Sequence, residues 1–306
     1  ELFHSAERFK SLPDYLQIWP AHGAGSACGK GLGAIPSSTV GYEKLFNPSL
    51  QFTDEDAFVQ YILSDQPEAP KYFAVMKRVN KEGPRVLGDV GFPQALSTDE
   101  FPNAIESGTV IDITPSKAFA EAHACGTINI PLPMLASWAG WVVDYSLPVY
   151  LIAEPEQLTE TTRVLRKIGL DAIEGYFDRS AVAQLELNSE SYQNSSPADL
   201  AARIESGELT LIDVRSDAEW NAGRIAQASH EFLGRLPAKA SKISNGKTVV
   251  TQCQSGARSA IAASILQAAG VDVINMTGGF GKWQESGLPV ETTSPEEVGC
   301  TPVACS

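Results

Sequence analysis

The stretch of residues 247–270 constrains the fold of this chain more than any other. Residues 248–251 are β-branched and predict a short buried strand. Residues 259–269 are rich in Ala, Ile and Leu and predict a helix that ends at Gly270. A tight loop that begins with Cys253 joins the two. Together with the alternation of apolar strands and helices in the second half of the chain, this predicts an α/β fold with parallel sheets covered on both faces.

Cys253 stands at the end of the predicted strand and faces the beginning of the predicted helix. The free N–H groups of a first helical turn and the positive end of the helix dipole favour a thiolate there. They also stabilise an anionic sulfur atom attached to that thiolate. We therefore predict that Cys253 is a nucleophile, with a buried structural cysteine as the alternative.

Four residues separate Cys253 from Arg258, and this spacing limits which anion the loop between them can bind. Cysteine phosphatases and arsenate reductases, the alternative enzyme class, need a longer loop to wrap a tetrahedral oxyanion. The shorter loop suits one sulfur atom carried on the cysteine. We expect Arg258 to orient an anionic donor or to brace the loop. N–H groups and hydroxyls should bind the sulfur, and the residues that carry them are Gln254, Ser255, Gly256, Ala257 and Ser259.

The pattern Cys-x-x-Gly-x-Arg-Ser resembles the active-site loop of the rhodanese (sulfurtransferase) family. Residues 211–225 resemble the family's early strand and its Glu-aromatic helix, and residues 277–283 resemble its closing Gly-Gly-x-x-x-Trp turn. Arg224 stands where the family usually has His, and Gln227 begins a pair that is usually Gly-Ala. The resemblance implies transfer of sulfane sulfur through a Cys253 persulfide. The donor would be thiosulfate or a low-molecular-weight persulfide, and the acceptor a thiol or cyanide.

Residues 86–188 repeat the pattern of the C-terminal part at a shift of 101 residues and resemble a second rhodanese-like domain. This shift places Ile152 at the position of Cys253. The loop that follows, residues 153–157, has no thiol and carries two carboxylates that would repel an anionic sulfur donor. We predict that this repeat is catalytically inactive. A non-catalytic interaction module is the alternative that it supports.

Residues 20–30 contain a Pro-x-His-Gly sequence and resemble the last metal-region loop of the metallo-β-lactamase fold. The likeness is to the subgroup that is fused to rhodanese domains and includes persulfide dioxygenases. It implies that residues 1–85 are the C-terminal part of such a domain, whose complete parent holds iron or zinc and couples sulfur transfer to persulfide oxidation. His22 is the candidate metal ligand. The family's other ligands would precede Glu1, so we expect neither a tightly bound metal nor dioxygenase activity in this chain, and no cofactor for sulfur transfer.

Charge and composition bear on the expected partners. The net charge of −14 argues against nucleic acid and anionic membranes. No run of ~18 apolar residues and no basic leader is present in the sequence. Five scattered cysteines fit a reducing compartment, and we expect a cytoplasmic protein. The expected partners are a small-molecule sulfur donor and a thiol acceptor, and a homo-oligomer is compatible with the sequence.

The predicted domain order is residues 1–85, 86–188, 196–291 and a tail of 292–306. Residues 190–197 are polar and rich in turn formers, which predicts a linker. The tail ends with a cysteine pair, Cys300 and Cys305, for which we favour disorder over a redox or metal site. Trp138 and Trp141 lie in an apolar run. They either fill the core of their own domain or cover a neighbour, and we predict that at least one packs against a neighbouring domain.

Overall fold

The computed structural model describes residues 1–21, 36–64, 68–84, 86, 88, 91–182, 189–243 and 246–292. The chain divides into two units, Glu1–Ala69 and Pro70–Ser306. His22 and Cys28, in the predicted metal-region loop, lie outside the described residues, and so do Cys300 and Cys305.

The first unit consists of short helices and one small antiparallel sheet. Its elements are α1 (Leu2–Lys10), β1 (Gln17–Ile18), β2 (Ser38–Thr39), α2 (Val40–Phe46), the 3-10 helix Pro48–Leu50 and α3 (Glu55–Leu63). The side chains of Thr39 and Asp54 each accept an N–H from the first turn of the helix that follows, which sets where α2 and α3 begin. The residue pattern of this region predicts helices over 2–12, 42–46 and 54–63 and a strand over 15–19. The helices are confirmed, and the strand is shorter than predicted.

The second unit begins with α4 and continues into a five-stranded sheet. Its elements are α4 (Tyr72–Glu82), β3 (Gln94–Ala95), α5 (Phe101–Ser107), β4 (Thr109–Asp112), α6 (Ser116–Glu121), β5 (His123–Ala124), β6 (Ile128–Asn129), α7 (Leu132–Val142), β7 (Val149–Ala153), α8 (Leu158–Lys167), β8 (Ile173–Asp178) and α9 (Arg179–Val182). The sheet has the order β3-β8-β7-β4-β6, and all its pairings are parallel. We call residues 86–188 the middle repeat.

A second five-stranded sheet follows. Its elements, and the short strand that precedes them, are β9 (Ser189–Glu190), β10 (Gln193–Ser195), α10 (Pro197–Glu205), β11 (Thr210–Asp213), α11 (Asp217–Ala222), β12 (Ala228–His230), α12 (Ala240–Ile243), β13 (Val249–Gln252), α13 (Ala257–Ala268), β14 (Val273–Met276) and α14 (Gly279–Glu285). The order is β10-β14-β13-β11-β12, again with parallel pairings. We call residues 196–291 the C-terminal repeat. The predicted α/β class with two parallel sheets is confirmed, whereas the predicted domain boundaries stay predictions.

The two sheets repeat each other element by element. β4 begins at Thr109 and β11 at Thr210, which is the shift of 101 residues predicted from the sequence. Gly169 and Gly270 end the helices α8 and α13 at the same shift, and their φ angles are 79° and 81°. Both glycines adopt the left-handed conformation that stops a helix without steric cost.

The shift does not hold for the central strand. Ile152 pairs with the last residue of β4, and Gln252 pairs with the last residue of β11. Gln252 is therefore the counterpart of Ile152, and Ala153 is the counterpart of Cys253. The predicted match of Ile152 with Cys253 is wrong by one residue, because the chain from β4 to β7 is one residue longer than the chain from β11 to β13.

Residues 190–197, predicted as a linker, overlap two strands that pair with the two repeats. β9 pairs with β5 of the middle repeat, and β10 is an edge strand of the second sheet. The interpretation of residues 190–197 as a linker is therefore corrected. Polar residues such as Gln193 and Asn194 have low strand propensity, but parallel pairing with β14 outweighs that local preference.

One apolar core continues from the middle repeat into the C-terminal repeat. The rings of Trp141 and Phe232 meet edge to face with centroids 5.0 Å apart, and Trp138 lies 6.2 Å from the same ring. A Cβ on Gly234 would lie 2.3 Å from the Trp141 ring, so the backbone there is in direct contact with the indole. The prediction that one of these tryptophans packs against a neighbouring domain is confirmed.

In the described part of the chain, no helix is long and apolar enough to cross a bilayer.

Candidate active site

Cys253 directly follows β13 and opens the loop that leads into α13. Its side chain is fully buried, and the N–H of Gly256 donates to its Sγ at 3.2 Å. Gly256 caps α13 with a φ of 93°, a conformation that L side chains rarely adopt. A Cβ at this position would also lie 3.0 Å from the backbone nitrogen of Gly278. Glycine at position 256 is therefore what lets the loop close around the sulfur.

The beginning of α14 holds the same loop from its outer side. The N–H of Phe280 donates to the carbonyl oxygen of Cys253 at 2.7 Å, and the N–H of Gly281 donates to that of Gln254 at 3.0 Å. A Cβ on Gly279 would lie 2.0 Å from the Cys253 carbonyl oxygen, so only glycine permits this approach. These two hydrogen bonds hold the carbonyl groups of Cys253 and Gln254 toward α14. The sequence showed the glycine pair as a motif but not this role.

Arg258, in the first turn of α13, forms a bidentate ion pair with Glu219 of α11. Its two terminal nitrogens lie 2.7 and 2.6 Å from the two carboxylate oxygens. The hydrogen bonds from Arg258 hold the pKa of Glu219 at about 2, although partial burial acts in the opposite direction. Glu219 in turn raises the pKa of Arg258, and Cys253 adds to that rise. The guanidinium is thus hydrogen-bonded to a carboxylate and close enough to Cys253 for the two side chains to interact electrostatically.

Glu219 is a partner of Arg258 that the sequence analysis did not identify. It occupies the third position of α11 and shares a capping box with Ser216, whose backbone N–H and hydroxyl both donate to Oε2. This box orients the carboxylate before Arg258 binds it. Of the two roles predicted for Arg258, the geometry favours bracing the loop, since both terminal nitrogens bind Glu219. The Ser-x-x-Glu spacing was the available signal, but it shows a helix start and not the partner.

The other predicted loop residues lie in different environments. Gln254, Ser255 and Ala257 are exposed at the loop surface. The hydroxyl of Ser259 is buried and donates to Oδ1 of Asn275 at 2.7 Å. The expectation that this hydroxyl donates to the sulfur is therefore wrong, because it ties the start of α13 to β14. Binding of sulfur by the backbone N–H groups of the loop stays a prediction.

A buried ion pair, Asp213 with Arg215, lies between β11 and α14 and supports the site. Asp213 ends β11, and its carboxylate accepts Nε and Nη2 of Arg215 at 2.6 to 3.0 Å. Nη2 also donates to the carbonyl oxygen of Gly223 at 2.7 Å, and the guanidinium lies 4.0 Å from the centroid of the Phe280 ring. Both charged side chains are almost fully buried. The pair therefore joins β11 to the helix that holds the carbonyl of Cys253.

Comparison with known proteins agrees with this geometry. Residues 196–286 match the family model of the rhodanese-like domain. A sulfurtransferase of Allochromatium vinosum is 36% identical over 84 residues, which are 27% of this chain and 78% of that protein. A thiosulfate sulfurtransferase of Actinobacillus pleuropneumoniae is 32% identical over 108 residues, which are 34% of this chain and 97% of that protein. The chain belongs to the rhodanese family. These relatives support a sulfurtransferase enzyme.

A solved structure shares more of the chain than the rhodanese domain alone. A metallo-beta-lactamase from Staphylococcus aureus is 38% identical to this chain, with a TM-score of 0.45. The match covers 58% of this chain and 49% of the other, so the chain spans about half of that protein.

The middle repeat lacks the rhodanese nucleophile. Ala153 stands in the place of Cys253 and is buried. The 3-10 helix Pro155–Gln157 follows, and the carboxylate of Glu154 accepts the N–H of Gln157. In turn, the N–H of Glu154 donates a hydrogen bond to Oε1 of Gln157 at 3.2 Å. In the C-terminal repeat the Gly256 N–H at the helix start faces the cysteine sulfur. In the middle repeat the Glu154 carboxylate accepts an N–H at the helix start.

Cys125 and His123 lie in the middle repeat, outside the rhodanese loop. Cys125 is exposed, and its thiol donates to Oε1 of Glu190 at 3.3 Å. Partial burial and the Glu190 carboxylate raise the pKa of this thiol, which disfavours a thiolate. His123, two residues earlier, is buried with Nδ1 2.7 Å from the Phe119 carbonyl oxygen. Among the described residues, no group of His, Cys, Asp and Glu side chains could hold a metal ion.

Proposed function

We propose that the C-terminal repeat transfers sulfane sulfur from thiosulfate or a low-molecular-weight persulfide to a thiol or cyanide acceptor through a persulfide on Cys253. The observation that carries the proposal is the 3.2 Å contact of the Gly256 N–H with Sγ of Cys253 at the start of α13. An N–H aimed at sulfur stabilises the negative charge of a thiolate or of a persulfide. The family membership of residues 196–286 supports the same chemistry.

The first half-reaction is a nucleophilic attack by the Cys253 thiolate on the outer sulfur of the donor. A new S–S bond forms between Sγ and that sulfur, and the donor's own bond to it breaks. The leaving group, sulfite or a thiolate, takes the electron pair of the broken bond. Since one S–S or S–SO₃ bond replaces another, the step needs no further oxidant or reductant.

The second half-reaction returns the enzyme to its starting state. A cyanide carbon or an acceptor thiolate attacks the outer sulfur of the persulfide, and the Cys253 thiolate leaves with the bonding electrons. An acceptor thiol releases its proton to solvent before it attacks. In the thiolate the negative charge lies on Sγ, which the Gly256 N–H faces, and in the persulfide it lies on the outer sulfur. Arg258 with Glu219 keeps the loop in place.

The middle repeat takes no part in this chemistry. Ala153 offers no nucleophile, and the Glu154 carboxylate occupies the N–H that a bound anion would need. We propose for it the non-catalytic role that the sequence suggested.

For the complete parent we propose a coupling of sulfur transfer to persulfide oxidation in a metallo-β-lactamase-fold domain. The identity with the Staphylococcus aureus protein, of which this chain spans about half, supports the proposal. Such a domain would bring iron or zinc. Among the residues that the structure describes, no group of side chains could hold either metal.

Mass spectrometry of the intact chain tests the proposal. After exposure to thiosulfate, and separately to glutathione persulfide, one sulfur atom should be added at Cys253 and should disappear when cyanide is supplied. Cys253→Ser should lose both the adduct and thiocyanate formation, by at least ~10³-fold in rate. Cys125→Ser is the matched control and should keep both. An unmodified Cys253 with both donors, or full activity in Cys253→Ser, would refute the assignment.

A further inference from the structure

Helix α13 carries the first turn that faces the Cys253 sulfur, and it is enclosed on all sides. Its residues from Ser259 to Leu266 are all buried. A helix on a parallel sheet buries one face against that sheet, so a second layer must cover the other. That second layer is the middle repeat, since β6 and α6 pack on α13.

Hydrogen bonds among the described residues join α13 to positions outside the C-terminal repeat at three of its residues. They run from Tyr192 Oη to the Ala260 carbonyl oxygen at 3.4 Å, from the Asn129 N–H to Ser264 Oγ at 2.9 Å, and from Gln267 Nε2 to the Ser191 carbonyl oxygen at 3.0 Å. On α13 these residues are spaced by four and then three positions, so they lie on one face of the helix. We call Ala260, Ser264 and Gln267 the docked face.

The shortest of these hydrogen bonds, 2.9 Å, is made to a strand of the first sheet. Asn129 is fully buried in β6, an edge strand of the first sheet. Its side-chain Nδ2 donates to the carbonyl oxygens of Asp112 and Thr114 at 3.0 and 2.8 Å. Its backbone N–H donates to Ser264 Oγ, which in turn donates to the Ile261 carbonyl oxygen at 2.8 Å. An unpaired N–H on a buried strand edge costs free energy, so this bond holds α13 against the sheet of the middle repeat.

The other two contacts come from residues 189–192, which are fastened to the middle repeat as well. β9 pairs with β5, and the N–H of Tyr192 donates to the Ala120 carbonyl oxygen at 3.0 Å. Tyr192 reaches the first turn of α13 at Ala260, four residues after Gly256. The docked face is therefore held by backbone and side chains that belong structurally to the inactive repeat.

We propose that the middle repeat positions the sulfur-binding loop, and that Ser264 is a positioning residue through which it does so. α13 is attached to its own sheet through Ser259 and Asn275, and to the middle repeat through the docked face. With both faces held, the helix cannot slide or rotate, and the Gly256 N–H stays aimed at the Cys253 sulfur. Misplacing such a donor by a fraction of an ångström weakens the stabilisation of developing charge. The catalytic consequence of this inference rests on the proposed function.

Ser264→Ala in the full chain tests the positioning role, with Ser286→Ala as matched control. Both serine hydroxyls donate to a carbonyl oxygen of their own helix, but Ser286 is exposed at the end of α14. Two measurements are made on each variant. One is kcat and KM for sulfur transfer from thiosulfate to cyanide, and the other is hydrogen exchange of the amides of residues 254–260. For Ser264→Ala we expect kcat to fall about tenfold with KM changed less than about twofold, and the loop amides to exchange at least about tenfold faster.

The outcomes separate the two proposals. If kcat and amide exchange of Ser264→Ala both match Ser286→Ala, the positioning role is refuted. Faster exchange with unchanged kcat also refutes it, because the contact would then serve stability alone. If the unmodified chain transfers no sulfur, the proposed function fails, and amide exchange alone decides the positioning. Should Ser264→Ala not fold, Tyr192→Phe removes a single hydroxyl, and an unchanged kcat and exchange in that variant would refute the role instead.

Discussion

The two repeats share a sheet and differ at the loop after the central strand. In the C-terminal repeat this loop opens with Cys253, and Gly256 at the helix start has no side chain that competes for its N–H groups. In the middle repeat Ala153 stands in the cysteine's place, and the Glu154 carboxylate caps the helix start. The fold supplies an anion-binding helix start in both copies. A few residues decide whether a ligand or the chain itself occupies it.

A second difference lies one strand away. The residue two positions after the end of β11 is Arg215, which pairs with Asp213. Its counterpart after β4 is Thr114, whose N–H binds Oδ1 of Asp112 at 2.8 Å. Burial raises the pKa of Asp112, and its hydrogen bonds with Thr114 offset only part of this effect. A guanidinium is hydrogen-bonded to this carboxylate in the C-terminal repeat, whereas in the middle repeat burial outweighs both the hydrogen bonds and the nearby charges of Arg179 and His123.

The largest effect expected from this comparison is at the buried ion pair. Asp213→Asn should lower the free energy of unfolding by about 3–5 kcal/mol, because it leaves the buried Arg215 guanidinium without its countercharge. Urea unfolding of the full chain at pH 7 measures it. Asp199→Asn, at an exposed aspartate of α10, is the control and should change little. A loss below about 1 kcal/mol for Asp213→Asn would show that the pair does not support the site.

Glu219→Gln separates the two roles of Arg258. If Arg258 braces the loop, kcat/KM for thiosulfate should fall about ten- to a hundredfold, because the guanidinium loses its fixed orientation. Higher activity would mean that Glu219 withholds Arg258 from the donor, which would contradict bracing. Glu285→Gln on α14 is a control, since its carboxylate binds only Lys282 among the residues described.

The same pair predicts a pH dependence of stability. The pKa of Glu219 is about 2 in the folded chain, below the ordinary value of 4.5. A carboxyl with a lowered pKa stabilises the folded state fully above its ordinary pKa, and this contribution is lost as the pH falls through about 2. The stability difference between the unmodified chain and Glu219→Gln should therefore shrink between pH 4.5 and pH 2. A difference that is independent of pH would show that the carboxylate charge is not what stabilises the pair.

The smallest expected effect has the opposite sign and lies in the middle repeat. The folded chain binds the Asp112 proton more tightly than the unfolded chain, since burial raises its pKa above 3.8. Stability then decreases as the pH rises from 3.8 through the raised pKa. Asp112→Asn removes this titration, so the variant should gain stability relative to the unmodified chain over that range. Urea unfolding at several pH values measures the trend, and a constant difference would show that Asp112 does not titrate there.

Much of the site could be predicted because its signals are local. The β-branched run before Cys253, the glycine at position 256 and the Ala-rich run after it each act on the backbone within a few residues. The repeat was also visible, since the same elements recur at one shift. The match of Ile152 with Cys253 failed because a one-residue difference in loop length shifts a strand, and only strand pairing reveals it.

The sequence by itself determined the order of strand, cysteine loop and helix, and with it the sulfur chemistry, because propensity and spacing act along the chain. Only the tertiary structure decided what holds that loop. Glu219 lies 39 residues before Arg258, and the Ser264 contact with Asn129 spans 135 residues. Parallel sheets join strands that are distant in sequence, and no local pattern records which side chains then meet at their edges.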